Sequence, residues 1–422
     1  MLAQRIGAAV GMPIPHRYFG ERILELAHRL ARWSETPDGL TCTYFSPAHK
    51  AVAAELRAEM QAAGMTASID AVGNVVGRYP SSAAAAKTLI VGSHYDTVAN
   101  AGQFDGRLGI LTGLVVVEFL HRAGRRLPFH IDLIGFAEEE GVRFSEPYLG
   151  SAVVAGGFED SILARRDAAG LTLGQLLEND NVDLAAIRAL KRAADTLCGY
   201  VEVHIEQGPV LLERGLPVGV VSAIAGSARY YVTVHGTTGH AGTVPMPLRR
   251  DAAAAAAEMI LAVERRCANN GTLVGTVGQV MVPQGLINVI PGRCEFSVDI
   301  RAGDDATRDA AIIDISTSIL KIAGRRGVTA EIVEIGRHAA VPCAASMQSA
   351  LARSVARAGI EPFHLPSGAG HDAAMFAGVT AIGMLFVRCG NGGLSHSPLE
   401  TVTAEDADIG AAILLDFILS LT

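Results

Sequence analysis

The sequence predicts an α/β protein in which a mainly parallel-sheet domain is interrupted by a smaller α+β domain of ferredoxin-like order. Two observations indicate this fold class. The first part of the chain alternates continuous apolar runs, typical of strands buried on both faces, with segments of helical periodicity. The middle part changes to strands of alternating hydrophobicity around an alanine-rich helix, and the last part returns to the first pattern.

Two helices and a hairpin are expected in the amino-terminal part. Apolar residues recur with helical spacing over residues 22–34, which predicts an amphipathic helix. A second helix is expected to end at Gly64, because glycine commonly follows the last helical residue. Short alternating segments come next, with Gly73 and Asn74 between them, and this pair is typical of a hairpin turn.

Two buried strands on either side of a helix predict a parallel sheet. The runs KTLIVGSHYD and HIDLIGFAEEE are continuously apolar before they end in polar residues, and residues 108–122 between them have helical character. A strand, a helix and a strand at this spacing form a βαβ unit. Ligands of open parallel sheets bind at the carboxyl ends of the strands, where the polar residues of both runs fall.

The inserted domain is predicted over residues 223–337. Its elements are expected in the order β-α-β-β-α-β, which matches a ferredoxin-like sandwich. The first domain then comprises residues 1–222 and 338–422, with a third apolar strand, YVEVHIEQG, before the insertion. Residues 158–196 are interpreted as a helical stretch without a motif. After the insertion we expect a helix in SMQSALARSVARAG, a strand in AIGMLFVRCG and a helix in EDADIGAAILLDFILS.

Composition limits the possible functions. Half of the 422 residues are apolar and 18% are charged, which indicates a well-packed globular protein and excludes a disordered one. The net charge is −8 without a notable basic run, so nucleic acid is not expected as a partner. The six cysteines lie apart, as in a reducing compartment. We find no targeting segment and no apolar run long enough to cross a membrane, and we therefore expect a cytoplasmic enzyme.

Residue types that bind metals follow the three apolar runs. The imidazoles and carboxylates at the ends of these runs are His94, Asp96, Glu138, Glu139, Glu140 and His204. The isolated Asp105 and the late His396 are further candidates of the same residue types. Oxygen and nitrogen ligands without thiolate favour zinc, manganese or related ions. Two such ions that share a carboxylate would turn water into a nucleophile at neutral pH. The sequence therefore indicates hydrolysis at a two-metal centre.

Each of these residues also has a simpler structural explanation. The three glutamates could form a solvated acidic turn, since runs of charge are commonly exposed. Asp105, eleven positions after His94, could cap the helix that follows it. We favour a bridging ligand, because glycines on either side permit close approach of metals. Asp96 lies two positions after His94 and could accept a hydrogen bond from its ring.

Nine motifs in a fixed order carry a resemblance to a known family. They are GSHYDTV, FDGRLG, EEEGVRF, HIEQGPV, GHAGTVPM, INVIPGR, SVDIR, SGAGHDA and SHSPLE. In this order they resemble the di-metal amidohydrolase branch of the aminoacylase–carboxypeptidase superfamily. That branch contains allantoate amidohydrolase, N-carbamoyl-L-amino-acid hydrolase and β-ureidopropionase. The first two motifs and PSGAGHDA are most similar to those of bacterial allantoate amidohydrolases.

The resemblance implies a role for each matching residue. Asp105 would bridge two divalent ions, one completed by His94 and His204 and the other by Glu140 and His396, and Glu139 would be the general acid/base. The inserted domain would be a lid and dimerisation domain, and the protein a homodimer. His240 would stabilise the oxyanion across that dimer. The implied substrate-binding residues are Gln207, Asn288, Arg301 and His371.

The implied reaction is hydrolysis of a ureido C–N bond next to a carboxylate. Peptidase members of the superfamily generally have an acidic residue where this chain has His204, which is consistent with the ureido-hydrolysing branch. Allantoate is the first expected substrate, giving ureidoglycine, ammonia and carbon dioxide in purine breakdown. An N-carbamoyl-L-amino acid and N-carbamoyl-β-alanine remain alternatives. An exopeptidase or aminoacylase, and a non-catalytic binding protein of the same fold, are the remaining hypotheses.

Overall fold

The computed structural model describes residues 6–7, 10–12, 15, 17–268 and 271–421. The chain divides into two compact units. The first comprises Met1–Ser222, Cys343–Leu365 and Gly370–Thr422, and the second comprises Ala223–Pro342 and Pro366–Ala369. The expected absence of a targeting segment concerns residues 1–15, most of which lie outside the described residues.

The helices and strands are numbered here in chain order over the described residues. The helices are α1 (Tyr18–Leu30), α2 (Pro47–Ala62), α3 (Arg107–Arg122), α4 (Leu149–Ala155), α5 (Leu173–Asn179), α6 (Leu184–Arg188), α7 (Val210–Glu213), α8 (Ala252–Cys267), α9 (Asp305–Arg326), α10 (Ala345–Arg357), α11 (Ala373–Phe376) and α12 (Ala404–Ser420). The strands are β1 (Thr66–Ile69), β2 (Val75–Tyr79), β3 (Thr88–His94), β4 (His130–Phe136), β5 (Leu197–Ile205), β6 (Val218–Ile224), β7 (Gly226–His235), β8 (Gly239–His240), β9 (Val274–Thr276), β10 (Val280–Met281), β11 (Val289–Ile290), β12 (Arg293–Ala302), β13 (Thr329–His338), β14 (Val341–Pro342), β15 (His364–Ser367) and β16 (Ile382–Val387).

The central sheet of the first unit is mainly parallel. Its strands follow the order β1-β2-β4-β3-β5-β16-β6. The four inner strands β4, β3, β5 and β16 pair in parallel, whereas β2 and β6 pair with their neighbours in the antiparallel sense. The predicted α/β class with a mainly parallel sheet is confirmed. The carboxyl ends of β3, β4 and β5 consequently lie at one edge of the sheet.

Helix α3 packs tightly on the strands that carry two of the candidate residues. Every residue of β3 is buried, as is expected for a strand covered on both faces. A Cβ atom placed on Gly109 of α3 would lie 2.1 Å from the carbonyl oxygen of Val203 in β5 and 2.7 Å from Cβ of Ser93 in β3. Glycine at this position therefore lets the start of α3 lie directly against both strands.

The second unit has its own sheet and core. Its strand order is β10-β12-β7-β13, all antiparallel, with β9 also paired to β12. The chain order of these strands with α8 and α9 gives the predicted ferredoxin-like arrangement. Its core consists of residues from these strands and helices, including Val232, Met259, Phe296 and Ile319. The predicted strand in GTVGQVMVP is divided into β9 and β10.

Two predicted segments and one boundary differ from the structure. Helix α1 ends at Leu30, not Ser34, because the Ser34 hydroxyl bonds Gly39 O at 2.6 Å within a loop. The stretch 158–196 contains short helices, because Thr172 and Asp183 each cap a new one. The second unit extends to Pro342, beyond the predicted boundary at residues 337 and 338. In the part of the chain that is described, no helix is long and apolar enough to span a bilayer.

Replacement of Gly109 by alanine is expected to destabilise the first unit. The added methyl group would overlap the Val203 carbonyl, and overpacking of this kind costs about 1–3 kcal/mol. Gly324→Ala is the matched control: nothing lies within 4 Å of its added Cβ, and alanine in α9 should stabilise by about 0.5–1 kcal/mol. The thermal unfolding midpoints should therefore move in opposite directions. A Gly109→Ala protein as stable as the wild type would contradict the close approach of α3.

Candidate metal centre

Asp105 lies between two groups of possible ligand atoms. Its Oδ1 is 3.3 Å from His204 Nε2 and 3.8 Å from His94 Nε2. Its Oδ2 is 3.1 Å from His396 Nε2, which is in turn 3.4 Å from Glu140 Oε1. The ligand atoms of each group, one per residue, lie within 4.8 Å of one another. The structure therefore brings all five predicted ligands together, with Asp105 common to both groups.

The helix-cap explanation for Asp105 is wrong. Helix α3 begins at Arg107, its N-cap is Gly106, and this helix start has no side-chain cap. The carboxylate of Asp105 instead accepts hydrogen bonds from the Gln207 amide, at 3.2 Å on Oδ1 and 3.0 Å on Oδ2. Its oxygens are directed at the histidines and at Gln207.

Asp96 joins the end of β3 to the loop after β4. Its Oδ1 lies 3.4 Å from Nδ1 of His94, the last residue of β3. The same carboxylate accepts the backbone N–H groups of Glu139 and Glu140, at 3.0 and 3.1 Å. The loop that carries these two glutamates is therefore held at the end of the strand that carries His94.

The solvated-turn explanation for the three glutamates is also wrong. Glu138 is fully buried and Glu139 is 7% exposed, while Glu140 is partly buried. Glu138 has a positive φ of 54°, which turns the chain immediately after β4. The Oε2 atom of Glu139 lies 4.0 Å from His94 Nε2, and both residues form a possible ligand group with Glu140.

Burial and mutual repulsion change the ionisation of this cluster. Burial raises the pKa of Glu139 well above its usual range and that of Glu140 to about 7. Burial lowers the pKa of His204 to about 4. Burial also opposes ionisation of Asp105, but the neighbouring His396, His204 and His94 outweigh it and lower the pKa of this carboxyl. Asp105 therefore favours the charged form, in contrast to Glu139 and Glu140.

The centre contains more buried acids than its histidines can neutralise. The acids are Asp96, Asp105, Glu138, Glu139, Glu140, Glu202, Asp372 and Glu400, and the histidines are His94, His204, His371 and His396. Uncompensated charge of one sign is costly to bury. Divalent cations would compensate it, and imidazole with carboxylate oxygen suits zinc, manganese and related ions. The residues present therefore fit a pair of such ions.

Sequence reasoning missed Glu202, a buried acid on β5. Its carboxylate accepts hydrogen bonds from Ser93 Oγ, Tyr200 OH and Ala373 N, each at 3.0 Å. It also forms a possible ligand group with His204 and His371. Its oxygens already have three donors, so it holds neighbouring segments together. Alternation along the strand could have indicated it, because Glu202 shares a face with His204.

Two of the predicted substrate-binding residues lie beside the centre. His371 is buried, with its ring centroid 4.5 Å from that of His204. Gln207 has a positive φ of 56° and directs its amide at Asp105. The substrate roles of both residues stay predictions.

The remaining predicted residues lie in the second unit. His240 on β8 pairs with Val289 on β11, and the next amide, Ala241 N, bonds Asn288 O at 3.0 Å. Arg301 on β12 binds the Asp299 carboxylate through Nε and Nη2, at 2.9 and 3.1 Å. This is the two-pronged geometry in which a guanidinium grips a carboxylate. The catalytic role of His240 and the substrate roles of Asn288 and Arg301 stay predictions.

The fold and the grouped ligands define the protein as a metal-dependent hydrolase with an inserted ferredoxin-like unit. Residues 90–420 match the model of peptidase family M20/M25/M40, and the chain belongs to this family. It is an amidohydrolase within it.

The chain is similar to two relatives and to a solved structure over nearly its whole length. A probable allantoate deiminase of Oryza sativa subsp. japonica is 39% identical, covering 93% of this chain and 87% of that protein. An N-carbamoyl-L-amino acid amidohydrolase of Geobacillus stearothermophilus is also 39% identical, covering 94% and 97%. The crystal structure of an amidase of the hydantoinase/carbamoylase family from Burkholderia multivorans has a TM-score of 0.89 at 32% identity, covering 95% and 97%.

Replacement of Asp96 by alanine is expected to weaken metal binding. The variant loses the acceptors for the Glu139 and Glu140 amides and the carboxylate contact with His94, although His94 Nδ1 keeps the backbone oxygen of residue 96. Loss of such outer contacts typically costs about 10- to 100-fold in metal affinity. Titration of metal-free protein with Zn²⁺ measures this. Asp132→Ala is the control, since this buried acid on β4 binds Arg78 and Arg192 instead. Equal affinities in wild type and Asp96→Ala would show that Asp96 does not organise the centre.

Proposed function

We propose that the protein hydrolyses the C–N bond of a linear ureido acid with two divalent metal ions, zinc or manganese. The observation that carries the proposal is the position of Asp105. One of its oxygens faces the imidazoles of His94 and His204, and the other faces His396, which lies beside Glu140. His94 and His204 would hold one ion, and Glu140 and His396 the other. When bound, ions that share Asp105 would polarise a carbonyl group and lower the pKa of a water molecule.

Glu139 is proposed as the general acid/base. It lies next to Glu140, its backbone is held by Asp96, and its carboxylate is 4.0 Å from His94. It would accept a proton from the attacking water as the C–O bond forms, and donate it to the leaving nitrogen as the C–N bond breaks. Burial raises the pKa of Glu139 well above its ordinary range, and such a shift is common for carboxyl groups that transfer protons in catalysis.

Allantoate is the proposed substrate, and an N-carbamoyl-L-amino acid or N-carbamoyl-β-alanine is the alternative. Relatives named for allantoate and for N-carbamoyl-L-amino acids match this chain equally well, at 39% identity. Both substrates carry a carboxylate close to the ureido group. Arg301 and Asn288 are proposed to hold that carboxylate and His240 to stabilise the oxyanion, with Gln207 and His371 as further substrate contacts. We also propose a homodimer formed through the second unit and a cytoplasmic location.

Purified enzyme supplied with either metal is expected to release ammonia from allantoate. The same assay with N-carbamoyl-L-amino acids and N-carbamoyl-β-alanine, together with an assay of amino-acid release from dipeptides, separates the candidate substrates. Chelator-treated enzyme is the control and should be inactive until metal is restored. If the enzyme turned over N-carbamoyl-L-amino acids but not allantoate, the alternative substrate would replace allantoate. Turnover of dipeptides alone would replace the ureido proposal with a peptidase.

A Glu139→Gln variant is expected to bind metal normally and lose most of its turnover. The amide keeps the size of the side chain but cannot accept the proton, and loss of a general base typically costs about 100- to 10,000-fold in rate. Metal content and kcat are measured on the same preparation. Glu138→Gln is the matched control, because the neighbouring Glu138 belongs to none of the possible ligand groups among the described residues. A Glu139→Gln enzyme near the wild-type rate would refute the assignment.

A further inference from the structure

Glu400 is a buried carboxylate that links two distant segments of the metal centre. It is 4% exposed. Its Oε1 accepts the backbone N–H groups of Phe104 and Asp105, at 2.8 and 3.2 Å, and its Oε2 lies 3.0 Å from Ser395 Oγ. Glu400 therefore contacts the backbone of the residue shared by both ligand groups and the residue that precedes His396.

The segment before Asp105 is fitted closely around this carboxylate. A Cβ atom placed on Gly102 would lie 2.3 Å from the carboxyl carbon and from Oε1 of Glu400. Only a residue without a side chain leaves room for the carboxylate at this point. The glycine before Asp105 is thereby explained by the presence of Glu400 rather than by a turn.

Ser395 extends the link to the side chain of Asp105. Its hydroxyl lies 3.0 Å from Glu400 Oε2 and 3.1 Å from Asp105 Oδ2, the oxygen that faces His396. Glu400 is absent from the possible ligand groups of the described residues. Its Oε1 accepts two backbone N–H groups and its Oε2 shares the Ser395 hydroxyl with Asp105 Oδ2, so Glu400 acts on the centre through other residues.

We propose that Glu400 is a positioning residue that sets the distance between Asp105 and His396, and thereby forms the group that also contains Glu140. The inference rests on the metal pair of the proposed function. It extends that proposal because Glu400, which is not itself a ligand, would set the geometry of the ligand group Asp105, Glu140 and His396. Residues that orient metal ligands in this way affect metal affinity about 10- to 100-fold.

The test is a titration of metal-free protein with Co²⁺. Binding is monitored by calorimetry and by the visible absorption of the bound ion. Wild type should bind two ions per chain. Glu400→Ala should bind one ion normally and the other about 10- to 100-fold more weakly, with the spectrum of a His396→Ala reference. Glu400→Gln should restore the affinity to within a few-fold, because its amide oxygen can accept the backbone N–H groups and its NH₂ group can donate to Ser395.

Asp408→Ala is the matched structural control. Asp408 Oδ1 also accepts two consecutive backbone N–H groups from a distant segment, those of Phe19 and Gly20, at 2.9 and 3.2 Å. This variant should melt at a lower temperature yet bind both ions as the wild type does. If Asp408→Ala and Glu400→Ala weakened metal affinity equally, Glu400 would only stabilise the fold in general, and the inference would be overturned.

Gly102→Ala provides a second variant that keeps every charge. Its methyl group would displace the Glu400 carboxylate, and the same single ion should be weakened, even if Glu400→Ala does not fold. Wild-type affinity for both ions in a folded Gly102→Ala or Glu400→Ala protein would overturn the inference while leaving the proposed function intact. Fewer than two ions in the wild type would instead refute the metal pair itself.

Discussion

The rest of the centre depends on one carboxylate that faces two groups of ligands. Asp105 is buried, and each of its oxygens lies near imidazole nitrogen from a different part of the chain. Six further acids that are not among the five ligands belong to the same buried region: Asp96, Glu138, Glu139, Glu202, Asp372 and Glu400. Ionising these acids together would require compensating cations. The surrounding loops are consequently built to hold acids in place by backbone N–H groups.

Much of the fold could be predicted because its signals are local. The continuous apolar runs of β3 and β4 and the spacing between them identify a parallel sheet, and a parallel sheet places His94 and Glu140 at the same edge. Asp105 and His396 have no such local signal, since both lie in loops. Their candidacy came from residue type and from the ordered motifs, and the structure brings both to the edge that carries His94.

The contacts that hold the ligands could not be read from the sequence. Glu400 follows a proline-containing loop and has the sequence context of an exposed acid, yet it is buried against Phe104 and Asp105. Such partners are determined by which loops meet after folding, and hydrophobic periodicity carries no information about hydrogen bonds between distant segments.

The position of β16 has a consequence for biosynthesis. This strand is made after most of the chain, yet it lies inside the sheet between β5 and β6, in parallel register with β5. While the ribosome is still producing the residues before Ile382, β5 has an open edge and His396 does not yet exist. An unpaired apolar edge is a site of aggregation. The nascent polypeptide therefore has a vulnerable interval that ends only when Ile382–Val387 emerge from the exit tunnel.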